Sequence, residues 1–394
     1  MFAAIILAEW LCCARLRGED HLDYRFSYYQ EEAGRIRVAT QSGLIEAAPA
    51  DWLSVKAQVV YDAISGASPT GILVPAGEKL TLANGGLGYL TDIRRAGDVV
   101  ASLRFGKMTL RPEISYSIER DYESKSIGLS ASFDFNQRNT TLTLGVSHDF
   151  DEVFPNRPGL GSPHDPAFQT GPTEWRKTRA PKDTTDILVG VTQVLTPGTL
   201  LTANFTVGES HGYLGDPYKF AEFQEMLVDP CDGSITILRF HPDERRPRQR
   251  VKEVGFLSLN QNVARMNASV EVSYRLYHDS FDVWSHTASL QWFQKLGRHV
   301  ILAPLLRVTE QSAASFYAPV FSGVPSDRTY FSSDYRLASL NTVTAGIEAT
   351  IFAAEWLHLN FSYFRYEMRG NHAGTPADTF PKANIFTAGL RLWF

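Results

Sequence analysis

What most constrains this chain is the way the lengths of its connections sort by parity. From Leu22 onward it reads as alternating segments of about ten to fifteen residues separated by turns. Counting back from the carboxyl end, every second connection is tight: Phe352–Glu355, Lys295–Arg298, Val263–Arg265, Thr196–Gly198, Asn136–Asn139, Gly106–Lys107 and Ala47–Asp51. The other set holds all the long ones, Ile64–Arg94, Phe154–Asp183, His211–Arg250, Ser312–Arg336 and Gly370–Pro381, beside shorter loops near Glu31, Tyr122 and Asp279. A soluble sandwich or propeller has no reason to segregate loop lengths this way. A membrane barrel does, because its periplasmic connections are short turns and its outer ones are free to lengthen.

The segments themselves carry a two-residue period. In Met266–Tyr277, Ala268, Val270, Val272, Tyr274 and Leu276 share one face, and Asn267, Ser269, Glu271, Ser273 and Arg275 share the other. Ile127–Asn136 and Asn139–Asp151 repeat the pattern. Further strands are expected at Leu22–Tyr29, Arg35–Glu46, Trp52–Asp62, Val99–Phe105, Met108–Arg120, Asp186–Leu195 and Leu200–Ser210. The rest are expected at Val251–Val263, Val283–Phe293, Val300–Gln311, Leu337–Phe352, Trp356–Met368 and Asn384–Phe394. The spacing predicts an all-β fold, a transmembrane antiparallel up-and-down β-barrel of about sixteen strands with long outer loops and short periplasmic turns. Pro112 and Pro304 fall inside strands near short turns, where the missing ladder donor predicts a bulge at each.

Composition bears on which membrane architectures remain. No apolar run approaches the roughly 20 residues a spanning helix needs, whereas alternating strands average to neutral hydropathy. Hydrophobic residues make up 44% of the chain and aromatics 12%, which suits strands and interfacial girdles. The net charge of −5 supplies no basic field for nucleic acid.

The last strand carries a second signal. Phe386, Ala388, Leu390, Leu392 and Phe394 fall on one face, ending on a terminal aromatic. Soluble proteins gain little by burying an aromatic at a fraying terminus, but a barrel needs a closing strand with an oily outer face. Phe386, Leu390, Leu392 and Phe394 are accordingly read as the insertion signal, implying the barrel-assembly machinery as a partner and outer-membrane lipid and lipopolysaccharide as surroundings in a Gram-negative envelope.

Residues 1–20 read as a degraded or truncated export signal or as an amphipathic extension. Phe2–Leu11 is apolar except for Glu9, but Arg15 and Arg17 follow the apolar stretch instead of preceding it. Residues 21–394 form the barrel. Cys12, Cys13 and Cys231 form no spaced metal or redox pair.

With the oily face outward, the opposite parity lines a polar lumen: Arg25, Arg37, Lys56, Arg104, Arg111, Glu113, Asp149, Glu271, Arg275, Arg307, Glu348 and Arg391. Such residues either set the solute preference of a pore or form a lattice of paired charges that stiffens the barrel. The acidic run His148, Asp149, Asp151 and Glu152 has the composition of a metal site, but alternation splits it between faces, and His164 with Asp165 and His278 with Asp279 offer no better. Ser285 and His286 are neighbours on opposite faces, so they form no nucleophile and base pair. No catalytic motif, cofactor fingerprint or metal site is read, and the chain is expected not to be an enzyme. The basic run Arg245, Arg246, Arg248 and Arg250 lies in a long outer loop, either solvated or facing lipopolysaccharide phosphates.

The stretch YESKSIGLSASFDFNQRNTTLTLGVSHDFDEV at Tyr122–Val153 resembles a bacterial family of outer-membrane barrels, porin-like, catalogued only as a domain of unknown function. RFSYYQEE at Arg25–Glu32, YRLYHDSFDVWSHTASLQWFQKLG at Tyr274–Gly297 and the terminal strand fit the same resemblance. The resemblance implies association with a small periplasmic lipoprotein, a thioredoxin-like protein and a flavin-attaching enzyme, and hence an envelope redox or metal pathway. Two functions are therefore expected as alternatives: a porin-like channel for small polar solutes or ions, and a partner-binding barrel with a plugged lumen.

Overall fold

In the computed structural model, residues 20–75, 77–155, 179–371 and 374–394 are described. The expected signal at residues 1–20 lies outside them except for Asp20, as do Cys12, Cys13, His164 and Asp165. The strands are β1 (His21–Glu31), β2 (Arg37–Ala50), β3 (Leu53–Pro69), β4 (Leu87–Phe105), β5 (Met108–Ile118), β6 (Tyr122–Phe135), β7 (Thr140–Val153), β8 (Ala180–Thr196) and β9 (Thr199–Gly212). There follow β10 (Phe223–Val228), β11 (Ile235–Phe240), β12 (Gln249–Val263), β13 (Ala268–Asp279), β14 (Trp284–Leu296), β15 (Val300–Gln311), β16 (Phe321–Ser322), β17 (Leu340–Ala354), β18 (Leu357–Gly370) and β19 (Lys382–Trp393). Among the described residues sixteen of these close one antiparallel barrel, and β11, β10 and β16 form a small separate sheet within the long loops.

The barrel shuts where β19 pairs with β1, with Leu22 opposite Leu392, Tyr24 opposite Leu390 and Tyr28 opposite Phe386. The Phe394 N–H then donates to the Asp20 carbonyl at 3.0 Å. Directly paired residues share a face, so this register fixes which side of every strand points out. The outer face carries an oily belt: Val59, Ile114, Ile127, Ile187, Phe205, Val272, Leu306, Val343 and Phe361 are all exposed. No water-soluble fold would leave such a surface bare, whereas lipid covers it at no cost.

The limits of that belt can be read from the aromatics. Each short turn carries an exposed large apolar residue, Trp52, Phe105, Phe135, Leu195, Met266, Leu296 or Trp356. Tyr61 and Tyr116 stand 8 residues beyond the first residues of β3 and β5, and Phe150 stands 10 beyond that of β7. That spacing matches the ~9–11 tilted residues a strand needs to cross a bilayer.

Three expectations need correction. The segment Ile64–Arg94 is strand at both ends, because β3 and β4 continue as a projecting hairpin to Pro69 and Leu87. Beyond the bilayer there is no lipid to demand an oily face, so the alternation that marks a strand fades while the ladder persists. The early parts of β6 and β8, from Tyr122 and Ala180, escaped notice for the same reason. The prolines make no bulge either: Glu113–Val100 and Leu110–Leu103 keep one register around Pro112, as do Leu305–Gln291 and Leu302–Gln294 around Pro304. Each proline pairs on its other side without interruption, so the missing donor costs one rung. The register shifts that do occur, at Ala47/Ala50, Val194/Thr196 and Phe352/Ala354, lie beside short turns. Leu337, expected in a strand, belongs to a 3-10 turn at Tyr335–Leu337.

Candidate functional site

Among the described residues, the long loops do not stand clear of the barrel; they lie across its mouth. After β9 the chain turns inward, and the Tyr218 hydroxyl donates to Asp121 Oδ2 at 2.5 Å in the β5–β6 turn. Lys219 Nζ donates to Ser68 Oγ at 3.0 Å and to the Pro69 carbonyl, and the Phe220 N–H donates to the Thr70 carbonyl at 2.8 Å. Ser68 and Pro69 end β3, six strands round the wall from β9, so this segment is a chord and not a rim.

Two apolar cores hold the chord. Ala221, Phe223, Phe321 and Phe331 form one, with Phe223 stacked on Phe321 at 4.9 Å between ring centroids. Phe281, Val283, Tyr317, Tyr335, Leu337 and Phe380 belong to the other, against which Tyr277 and Met368 of the wall also pack. Between the loops sits a network of buried charge. Arg246 pairs with Glu244 at 2.7 Å and Asp334 at 2.8 Å, and Arg336 pairs with both Asp334 and Asp216. Burial alone would raise the Asp334 carboxyl, but Arg336, then Lys219 and Arg246, hold it well below the usual carboxylate range. Burial pushes the Lys219 ammonium down, with Asp334 opposing.

Beneath the lid, on the β6–β12 side, a cavity of about 630 Å³ remains. It is lined by Glu119, Asp121, Tyr122, Asp149, Asp151, Lys182, Asp186, Asp216, Arg250, Lys252 and Arg336 among others. A second cavity of about 220 Å³ shares Arg250 and Arg336 with it and extends along Arg275, Tyr277 and Ser285.

Of the expected lumen residues, Arg25, Lys56, Arg104, Arg111, Glu113, Asp149, Glu271, Arg275, Arg307, Glu348 and Arg391 all have lumen parity by register. Several are tied to the wall: Arg391 to Asp23 through two contacts of 2.7 Å, Arg111 to Ser132 at 2.8 Å and Arg307 to Ser289 at 2.9 Å. Arg37 is a correction. It pairs with Gln30, on the outward parity of Tyr28, and donates to Ser65 Oγ on the outer side of β3. At its height the bilayer has ended, so an outward arginine meets water.

The other expected groupings also resolve. His148 points outward to Thr185 at 2.8 Å and packs on Phe150, apart from the inward Asp149 and Asp151. His286 points outward to Tyr274 at 2.6 Å, away from Ser285. The basic run of the outer loop divides: Arg246 is in the lid network and Arg250 pairs with Asp279, whereas Arg245, stacked on Phe331, and Arg248 are exposed. Sequence reasoning missed Lys219, Asp216, Glu244 and Asp334, for which no periodicity existed to follow. It also missed the gathering of Asp92, Glu119 and Asp121, whose oxygens lie within 4.8 Å of one another at the rim. Burial, then Asp92 and Asp121, push the Glu119 carboxyl up to about 7.

A family model described as "Protein of unknown function (DUF3570)" matches residues 7–379. The chain belongs to this family. No curated protein matches it. Among solved structures, the siderophore receptor PirA from Pseudomonas aeruginosa is 10% identical, with a TM-score of 0.43 over 95% of this chain and 61% of the receptor, so the chain spans about six tenths of that protein's length. A bacterial polysaccharide outer membrane secretin is 9% identical, with a TM-score of 0.49 over 95% and 98% of the two chains. An anion-selective porin from Comamonas acidovorans is 12% identical, with a TM-score of 0.39 over 95% and 98%.

Proposed function

We propose that the protein is an outer-membrane channel with a restricted outer mouth, passing small polar solutes or ions and catalysing no reaction. The observation that carries this reading is the pairing of an oily belt around the exterior with a lumen wall of charged and hydroxyl side chains that leads to the cavity under the lid. A wall such as Ser124, Ser126, Ser130 and Ser132 on β6, facing Thr141, Thr143 and Ser147 on β7, replaces water hydrogen bonds for a passing solute without a large side chain in its way. Reconstitution in planar lipid bilayers is the test. Stepwise conductance well below that of an unobstructed sixteen-strand pore is the expected result, and a folded barrel that never conducts would overturn the reading.

The lid favours a second reading, in which the barrel is plugged by its own loops and serves as a scaffold for an envelope redox or metal pathway. A small lipoprotein or thioredoxin-like protein would then be its periplasmic partner. Stoichiometric co-purification of such a partner, together with a silent wild-type bilayer, would favour this reading over the channel.

A further inference from the structure

The cavity under the lid is lined by six carboxylates and four basic groups, but most of these cancel locally. Lys182 pairs with Asp151 at 2.9 Å and Arg250 with Asp279. Arg336, Arg246 and Lys219 are offset within the lid by Asp216, Glu244 and Asp334. What remains on the wall is uneven. Asp149 and Asp186 have neither a hydrogen bond nor an ion pair from any described side chain, and Lys252 is the lining amine without a carboxylate partner. Asp121 accepts a hydrogen bond from the Tyr218 hydroxyl.

The positions are built, not incidental. Asp186 on β8 stands opposite Gly208 on β9, where a Cβ would lie 2.0 Å from Asp186 Oδ1 and 3.3 Å from Lys252 Cε. Only the missing side chain at residue 208 lets the carboxylate lie against the wall there. Asp149 on β7 stands between Ser126 and Thr184 on the lumen parity, and Thr184 lines the cavity with it. Independently, the Oδ1 of Asp151 is buried and has no hydrogen-bond donor, although buried carboxylate oxygens are ordinarily paired. A cavity walled by fixed carboxylates and hydroxyls focuses negative potential on whatever enters it.

We propose that this cavity is a vestibule for small inorganic cations, and that Asp149 and Asp186 set a cation preference for what crosses the barrel. The inference rests on the channel reading and specifies its solute class. Two carboxylates within a Debye length of the path, opposed by one lysine, raise the local cation concentration and lower that of anions.

The test is the zero-current potential of the wild-type protein across a tenfold KCl gradient, compared with the Asp149→Asn/Asp186→Asn variant. The wild type is expected to prefer K⁺, and the double variant to lower the K⁺/Cl⁻ permeability ratio by about threefold. The charge-keeping Asp149→Glu is expected to retain the preference. An anion-preferring wild type, or a ratio the double variant leaves unchanged, would overturn the proposal while leaving the channel itself intact. Should the wild type not conduct, the channel reading fails and Tb³⁺ decides this proposal alone. Tyr122, Tyr213 and Tyr218 line the same cavity and would sensitise emission from a cation held there. A severalfold loss of emission in the double variant supports the site, and undiminished emission refutes it.

Discussion

At one end of this barrel the strands are joined by turns as short as Gly106–Lys107, where Gly106 has φ +63 and an added Cβ would meet nothing. At the other, four loops converge into a lid with two apolar cores, a three-stranded sheet and a charge network whose hub, Asp334, is 1% exposed. The short-turn end is determined by neighbours in sequence, since each turn closes within a few residues and carries its own apolar anchor for the bilayer edge. The lid is determined by residues far apart: Lys219 meets Ser68, Arg246 meets Asp334 and Arg336 meets Asp216. The same cylinder is thus locally specified at one end, and closed over and specified at long range at the other.

The sharpest way to break this contrast is Asp334→Ala. It leaves Arg246, with a side chain 11% exposed, without one of its two carboxylates; loss of a partner from a buried pair costs about 3–5 kcal/mol. Arg336 is half exposed, so its share is screened and adds less. The penalty falls on the lid and not on the ladder. Hydrogen exchange should therefore show residues 213–248 and 312–339 losing protection while the barrel strands keep theirs, and the folded barrel should keep its heat-modifiable mobility on gels. Unchanged protection of the lid would mean that the apolar cores, and not the ion network, hold it.

A smaller effect is expected from Glu119 at the rim. Burial, then Asp92 and Asp121, push its carboxyl up to about 7 in the folded protein, against 4.5 for the free group, so the folded rim binds this proton more tightly than an unfolded one. The contribution is fully present below pH 4.5 and is lost as the pH rises through about 7. Amides of the β5–β6 turn and of Tyr218 should therefore be better protected at pH 6 than at pH 8, after correction for intrinsic exchange rates. Glu119→Gln should remove most of that difference. A difference that persists in the variant would assign the effect to Asp121, whose carboxyl burial also pushes up.

The contrast also explains what was legible in the sequence. Within the bilayer, alternation reports burial in reverse: Ile127, Leu129, Val270 and Val272 are oily because lipid is outside, and Asp149 and Arg275 are wet because water is inside. The order of the strands, the closing role of Phe386, Leu390 and Leu392, and the sorting of loop lengths all follow from that rule. Above the bilayer it inverts. Tyr277, Leu340 and Met368 face inward because the lid core covers them, while Arg37, Glu123 and Lys125 face outward into water. Arg37 was misplaced by extending the lipid rule to a height where no lipid remains. The lid itself left no periodic trace, because loop residues that meet across a mouth need only complementary partners, and spacing along the chain does not encode which.

The central claim, that the obstruction lies at the long-loop end, is tested most directly by polymer exclusion from each side of a single oriented channel. A polyethylene glycol small enough to enter the barrel but too large for the cavity under the lid should depress the conductance when added on the short-turn side and leave it unchanged on the long-loop side. Equal depression from both sides would contradict the account.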